Sequence, residues 1–198
     1  GEIAADSRLN IKHGKLTMDN RGDYWIFNHT GCLTYITADS GKIKEFRLIP
    51  QDKLSYIDFE RYHIVHDSRG IIWISTYGNG LFAYDTAEDK LEHFLANIND
   101  KSHIASDFLL YVMEDRSGGI WESSEYSGLS HISVLNEGTS RIYPESPDLF
   151  DRSNTIRMLT KTSDGDIWFG TRRGGLYTID SDFHSKITNQ SFQHLCHY

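Results

Sequence analysis

Short apolar stretches, rather than long amphipathic ones, organise this sequence. Four kinds recur in a fixed order. The first precedes a glycine turn, as in Tyr62-His63-Ile64-Val65 and Leu109-Leu110-Tyr111-Val112-Met113. The second surrounds a tryptophan, as from Gly70 to Thr76. The third follows a Gly-Leu pair, as in Leu81-Phe82-Ala83-Tyr84-Asp85 and Leu176-Tyr177-Thr178-Ile179-Asp180. The fourth alternates polar and apolar positions, as in Lys42-Ile43-Lys44-Glu45-Phe46-Arg47-Leu48 and Lys90-Leu91-Glu92-His93-Phe94-Leu95. All are rich in β-branched or aromatic residues and bounded by Gly, Asp, Asn and Ser, which predicts strands joined by tight turns. No segment sustains the 3.6-residue period of an amphipathic helix.

The series is written four times. The chain's four tryptophans, Trp25, Trp73, Trp121 and Trp168, are spaced by 48, 48 and 47 residues. Gly22, Gly70, Gly118 and Gly165 each lie three positions before one of them, and Leu33, Leu81, Leu129 and Leu176 eight positions after. Registers kept in phase over the whole chain define a repeat protein. Four short antiparallel strands in a unit of about 40–50 residues describe a β-propeller blade. The expected fold is therefore all-β, a single partial propeller over 1–198 with about four blades at roughly 12–50, 60–98, 108–145 and 155–198. The polar stretches Pro50-Gln51-Asp52-Lys53, Asn97 to Ser102 and Pro144 to Asp148 become loops from the fourth strand to the next first strand. The first copy is the most worn, with Cys32 in place of the glycine before Leu33. Residues 1–11 are expected to be a strand left over from a preceding blade.

The turns carry their own chemistry. Asp19, Asp67 and Asp115 stand three residues before the turn glycine, where the carboxylate can bond the turn backbone and glycine can take a positive φ. Thr162 holds that place in the fourth copy as a weaker substitute. Each Trp is expected on the second strand, packed between neighbouring blades. A calcium loop needs several oxygen ligands at alternate positions, whereas Asp67-Ser68-Arg69-Gly70 and Asp115-Arg116-Ser117-Gly118 each place a cation there. These turns are structural, and no metal or other cofactor is expected. His63 and His66 would point to opposite faces of a strand, and His194-Leu195-Cys196-His197 lacks a further ligand in sequence.

Charge and composition narrow the function classes. The net charge of -8 argues against nucleic-acid binding, which needs a basic surface. No apolar run approaches the ~18 residues of a membrane helix. The opening Gly1-Glu2-Ile3-Ala4 has neither methionine nor signal-peptide pattern, and reads as a boundary of processing or expression. Two cysteines, Cys32 and Cys196, leave a disulfide and a free thiol equally open.

In a propeller the loops from second to third strand crowd one end of the channel. Here they read Asn28-His29-Thr30-Gly31, Tyr77-Gly78-Asn79-Gly80, Glu125-Tyr126-Ser127-Gly128 and Arg172-Arg173-Gly174-Gly175. These vary between copies while the frame stays fixed, and function concentrates on loops held by a rigid scaffold. His29, Tyr77, Asn79, Glu125, Tyr126, Arg172 and Arg173 are thus the candidate ligand residues, a mixture suited to a sugar or another polar small molecule. The plainer possibility is a set of solvated loop tips.

The pattern Asp-x-x-Gly-x-Ile-Trp-Ile-x-Thr-x-x-x-Gly-Leu-x-x-Tyr-Asp, best seen from Asp67 to Asp85 and from Gly165 to Asp180, resembles the regulator-propeller repeat. That repeat builds the extracytoplasmic sensor regions of hybrid histidine kinase/response regulators of Bacteroides-type bacteria. The resemblance implies a segment of an about seven-bladed ring, in the periplasmic part of a membrane-anchored kinase, sensing carbohydrate and signalling through dimer geometry. Because terminal repeats need caps, a four-blade chain is expected to self-associate. Two other classes remain. A protein-interaction scaffold would use a broad face without a small-molecule pocket. The Asp-turn also resembles the Asp-box of sialidase-type propellers, yet Glu125-Tyr126 and Arg172-Arg173 are the only hints of a catalytic set, so no enzyme activity is expected.

Overall fold

A computed structural model describes residues 14–56, 61–97, 99–100, 102–133, 138–144, 151–172, 175–179 and 188–190. Four sheets follow one another along the chain, each of four antiparallel strands in sequence order. The first holds β1 (Lys15–Met18), β2 (Tyr24–Phe27), β3 (Cys32–Ile36) and β4 (Ile43–Arg47). The second holds β5 (His63–His66), β6 (Ile71–Ser75), β7 (Leu81–Asp85) and β8 (Lys90–Phe94). The third holds β9 (Leu109–Glu114), β10 (Ile120–Ser124), β11 (Leu129–Ser133) and β12 (Gly138–Ile142). The fourth holds β13 (Ile156–Lys161), β14 (Ile167–Thr171), β15 (Leu176–Ile179) and β16 (Thr188–Gln190). The first strands stand side by side in the order β1, β5, β9, β13 and form the inner wall. This is a propeller segment of four blades. The loop expected around Pro50 contains a 3-10 turn, Gln51–Tyr56, and a second one spans Arg152–Asn154; neither shows in the hydrophobic periodicity. Residues 1–11, Arg173 and the terminal His194–His197 cluster with Cys196 lie outside the described residues. Cys32 is a buried free thiol.

Strand alternation splits each blade into two faces. Trp25, Phe27 and Leu33 of the first blade pack on Ile64, Ile72, Ile74, Phe82 and Tyr84 of the second. Trp73 and Leu81 pack on Leu109, Val112 and Ile120 of the third, and Trp121 and Leu129 on Ile156, Ile167, Phe169 and Tyr177 of the fourth. The Trp face of each blade always meets the opposite face of the next. Trp25, Trp73 and Trp121 are buried, whereas Trp168 is only half-buried and Met158, beside it on the same face, is exposed. The third blade breaks the apolar rule: Glu122 is fully buried where the second and fourth blades carry Ile74 and Phe169.

The Asp turns do more than cap a hairpin. Asp67 Oδ1 accepts the backbone N–H groups of Arg69 and Ile71, both at 2.9 Å. Its Oδ2 accepts the Trp73 indole N–H at 2.8 Å and the Arg69 guanidinium at 2.6 Å. Asp19 and Asp115 repeat the scheme. His131 adds itself to the third, with Nε2 3.2 Å from Asp115 Oδ2 and its ring against Trp121. In the fourth turn Thr162 Oγ1 accepts only the Asp166 N–H among the described contacts, at 3.1 Å. Adjacent turns also bond each other: Arg69 Nη1 donates to the Gly118 carbonyl at 2.6 Å, and Ser68 donates to Glu114.

Candidate functional site

At the other end of the channel the second-to-third-strand loops lie against the loops that enter the first strands. Gly78 and Gly80 donate to the Asp107 carbonyl, Glu125 to Phe108 and Arg172 to Thr155. These bonds fix the loop tips relative to the inner wall, and they bring together residues distant in sequence.

Glu125 is the centre of the arrangement. It follows β10 directly, at the tip of the loop to β11, and it is 2% exposed. Arg61, just ahead of β5, donates Nη1 to Glu125 Oε2 at 3.4 Å. Arg157 on β13 places Nη2 3.6 Å from Oε1. The Arg61 guanidinium lies over the Tyr77 ring at 4.7 Å, a cation–π geometry. Tyr77 packs edge-on against Phe108, with Tyr126 close by. Burial pushes the Tyr77 hydroxyl above its usual range, and the Glu125 charge pushes it the same way. A buried carboxylate thus clamps two guanidiniums from different blades.

Behind this clamp a cavity of about 380 Å³ opens in the channel. Its wall comes from the first strands and their approaches: Lys15, Arg61, Tyr62, His63, Tyr111 and Arg157, with Leu110. His63 Nδ1 lies 3.1 Å from the Val112 carbonyl, and its ring is tilted against Tyr111. Burial pulls the His63 imidazole below its usual value, so it is neutral at pH 7. Burial pushes the Tyr62 hydroxyl up against a smaller opposing effect of its bond to the His29 backbone.

The seven residues singled out from sequence fall into distinct places. Tyr77, Glu125 and Tyr126 meet in the clamp. His29 is half-buried in the first-blade loop beside Tyr62. Asn79 is buried within its own turn, where its carbonyl lies 2.7 Å from His93 Nε2. Arg172 is exposed on the fourth-blade loop, and Arg173 is outside the described residues. Sequence reasoning missed Lys15, Arg61 and Arg157, and weighed His63 only as a metal ligand. A signal was present: Lys15, His63 and Tyr111 all stand four residues before the turn aspartate of their repeat. Among the described residues no group of His, Cys, Asp and Glu is placed to hold a metal ion, and no helix is long and apolar enough to cross a membrane.

Comparison with known proteins fits this architecture. A sequence profile described as "two component regulator propeller" matches residues 152–173. The match falls on the fourth repeat, and the other three carry the same frame. No curated protein matches the chain in sequence. Among solved structures, the chain superposes on the extracellular domain of a B. thetaiotaomicron protein described as a hybrid two-component system, with TM-score 0.69, 18% identity, and 93% of this chain on 26% of that one. A second such domain from the same organism gives TM-score 0.66 and 16% identity over 89% of this chain and 24% of that one. PorZ, a surface component of the type-IX secretion system of Porphyromonas gingivalis, gives TM-score 0.64 and 16% identity over 89% and 27%. The chain therefore spans about a quarter of the length of these structures. At such identities the likeness is one of fold.

Proposed function

We propose that this chain is a ligand-sensing segment of the extracytoplasmic propeller of a hybrid two-component sensor. The observation that carries the reading is the Glu125 clamp with its cavity, set on a scaffold whose repeat profile is described for two-component regulators and two of whose solved counterparts are described as hybrid two-component systems. The segment works by binding. Its ligand is a carbohydrate, its ring has about seven blades, and the signal leaves it as a change in the geometry of a dimer of a membrane-anchored, periplasm-facing protein. Catalysis is not part of the proposal: both oxygens of Glu125 lie against guanidiniums, an arrangement for holding charge rather than for donating a proton. Hydrolysis of a fluorogenic glycoside that is lost in Glu125→Gln would contradict this.

The test is a thermal-shift screen of the 198-residue chain against neutral and acidic oligosaccharides. A sensor responds to one sugar class, and Tyr77→Ala or Tyr126→Ala removes the response. A flat response across the panel sinks the reading. The rival reading is a protein-interaction scaffold, supported by the shared fold of a secretion-system surface component and by exposed Phe108 and Tyr111 near the same end. A scaffold retains a protein partner through Phe108 while ignoring every sugar. Fold alone does not choose between the two.

Self-association belongs to the same proposal. The half-buried Trp168 and exposed Met158 mark an apolar sheet face that a second copy would cover. Sedimentation equilibrium over a concentration series reads this directly. A monomer at every concentration, in the wild type as in Met158→Lys, overturns it.

A further inference from the structure

Three cations from three different blades line one cavity in a chain of net charge -8. Lys15 comes from β1, Arg61 from the approach to β5, and Arg157 from β13. Among the described residues no carboxylate lines this cavity. Glu125 lies behind two of the three, against Arg61 and Arg157, and the charges on the described lining itself are all positive. Concave, partly apolar walls focus such a field.

The cations are also held in place. Arg61 is stacked on Tyr77 and bonded to Glu125, and Arg157 is drawn to the other oxygen of the same carboxylate. A pinned guanidinium meets an oxyanion with little loss of rotamer freedom. Lys15 and Arg157 keep exposed heads. Tyr111, exposed beside them, supplies aromatic surface, which suits the face of a sugar ring. The cavity volume of about 380 Å³ lies within the range of small-molecule sites.

We propose that the channel cavity is an anion-selective site, and, resting on the sensor reading above, that its ligand is an acidic oligosaccharide bearing carboxylate or sulfate groups rather than a neutral one. The acidic group docks between Arg61 and Arg157 in charge-assisted hydrogen bonds, and Lys15 engages a neighbouring acidic unit.

Isothermal titration of the 198-residue chain tests this with four probes: a galacturonate trisaccharide, a sulfated galactose trisaccharide, the neutral galactose trisaccharide and sodium sulfate. At least one acidic sugar is expected to bind about tenfold or more tightly than the neutral one, and to weaken as salt is raised. Arg157→Gln and Lys15→Gln are each expected to weaken that binding about tenfold. Both side chains are exposed, so these variants keep the fold. Acidic and neutral sugars binding alike, or both variants binding as the wild type does, overturns the anion site and leaves the sensor reading standing. Sulfate binding that both variants lose, with no sugar bound, upholds the anion site and overturns the oligosaccharide. No binding by any probe overturns the proposal whole.

Discussion

The indole N–H of Trp121 donates to Asp115 Oδ2 at 2.7 Å, so the turn that opens the second strand and the largest side chain at the blade interface form one unit. Trp73 hangs from Asp67 at 2.8 Å and Trp25 from Asp19 at 3.1 Å in the same way. The aspartate sets the turn and also fixes the plane of the ring that the next blade packs against.

Losing that acceptor will loosen both. In Asp67→Ala the Trp73 indole and two backbone N–H groups lose a buried charged partner, and the expected cost is about 3 kcal/mol. Thr162→Asp should act in reverse, giving Trp168 the missing acceptor and raising stability by about 1 kcal/mol. Urea midpoints followed by tryptophan fluorescence measure both. A shift near zero for Asp67→Ala would show that the indole bond is incidental.

The same carboxylates make the fold acid-sensitive. Burial alone would push Asp19, Asp67 and Asp115 up, but the hydrogen bonds from the indoles, the turn backbone and the neighbouring side chains outweigh it and hold all three below the usual carboxylate range. Their folded values lie below their unfolded ones, so the folded state binds fewer protons near pH 4. The stabilisation is complete above the unfolded value and is lost as pH falls towards the folded one. The urea midpoint should begin to decline gently below about pH 6.5, where the unfolded chain protonates His63 and the folded one resists it, and drop steeply below about pH 4 as the aspartates take up protons. Asp115→Asn should flatten that slope.

The Glu125 clamp predicts a non-additive pair. Arg61→Ala or Arg157→Ala leaves the buried carboxylate with one guanidinium, and each should cost under about 1 kcal/mol. Removing both strands a nearly inaccessible charge, so the double variant should lose about 1–2 kcal/mol more than the two singles together. A double-mutant cycle in thermal unfolding measures the excess. Simple additivity would mean that the two arginines do not share Glu125.

Glycines of similar φ should differ sharply in tolerance. Gly22, with φ +85, has open space where a Cβ would stand, and Gly22→Ala should cost only the about 1 kcal/mol of a left-handed L-residue. Gly128, with φ +70, would put a Cβ 2.1 Å from the Ile142 carbonyl oxygen. Gly128→Ala should cost about 3 kcal/mol or more and disturb the Glu125 loop. Comparing the two midpoints separates close approach from backbone conformation.

The blade frame was legible in the sequence because Gly, Trp and Leu keep phase over a whole repeat, and because strand alternation follows directly from the apolar pattern. The Asp-to-Trp bond was half legible: Asp67 reads as a turn residue, but nothing in the spacing says that its second oxygen reaches Trp73 six positions on. The cation-lined cavity was legible only in part: Lys15 shares a repeat register with His63 and Tyr111, four before the turn aspartate. Lys15, Arg61 and Arg157 belong to different blades and meet only through the curvature of the inner wall, which no local period encodes. Tyr77 and Glu125 were found because they replace one another four positions after their tryptophans, and Tyr126 because it follows Glu125 in the same variable loop. Glu122 went unnoticed because its neighbours Ile120 and Trp121 match the frame so well.

Every blade meets its successor with unlike faces, tryptophan side on to opposite side. A contact between two chains that reuses this packing is therefore head-to-tail, and never a like-to-like pairing across a single patch. Such contacts have two outcomes. If the rotation accumulated over the blades of two chains completes a circle, the pair closes on itself about an axis running down the channel. If it falls short or overshoots, the contact repeats without end and the chains grow into a helical filament. Blade number and blade twist would then decide between a discrete particle and an open-ended polymer, with no change in any interfacial residue.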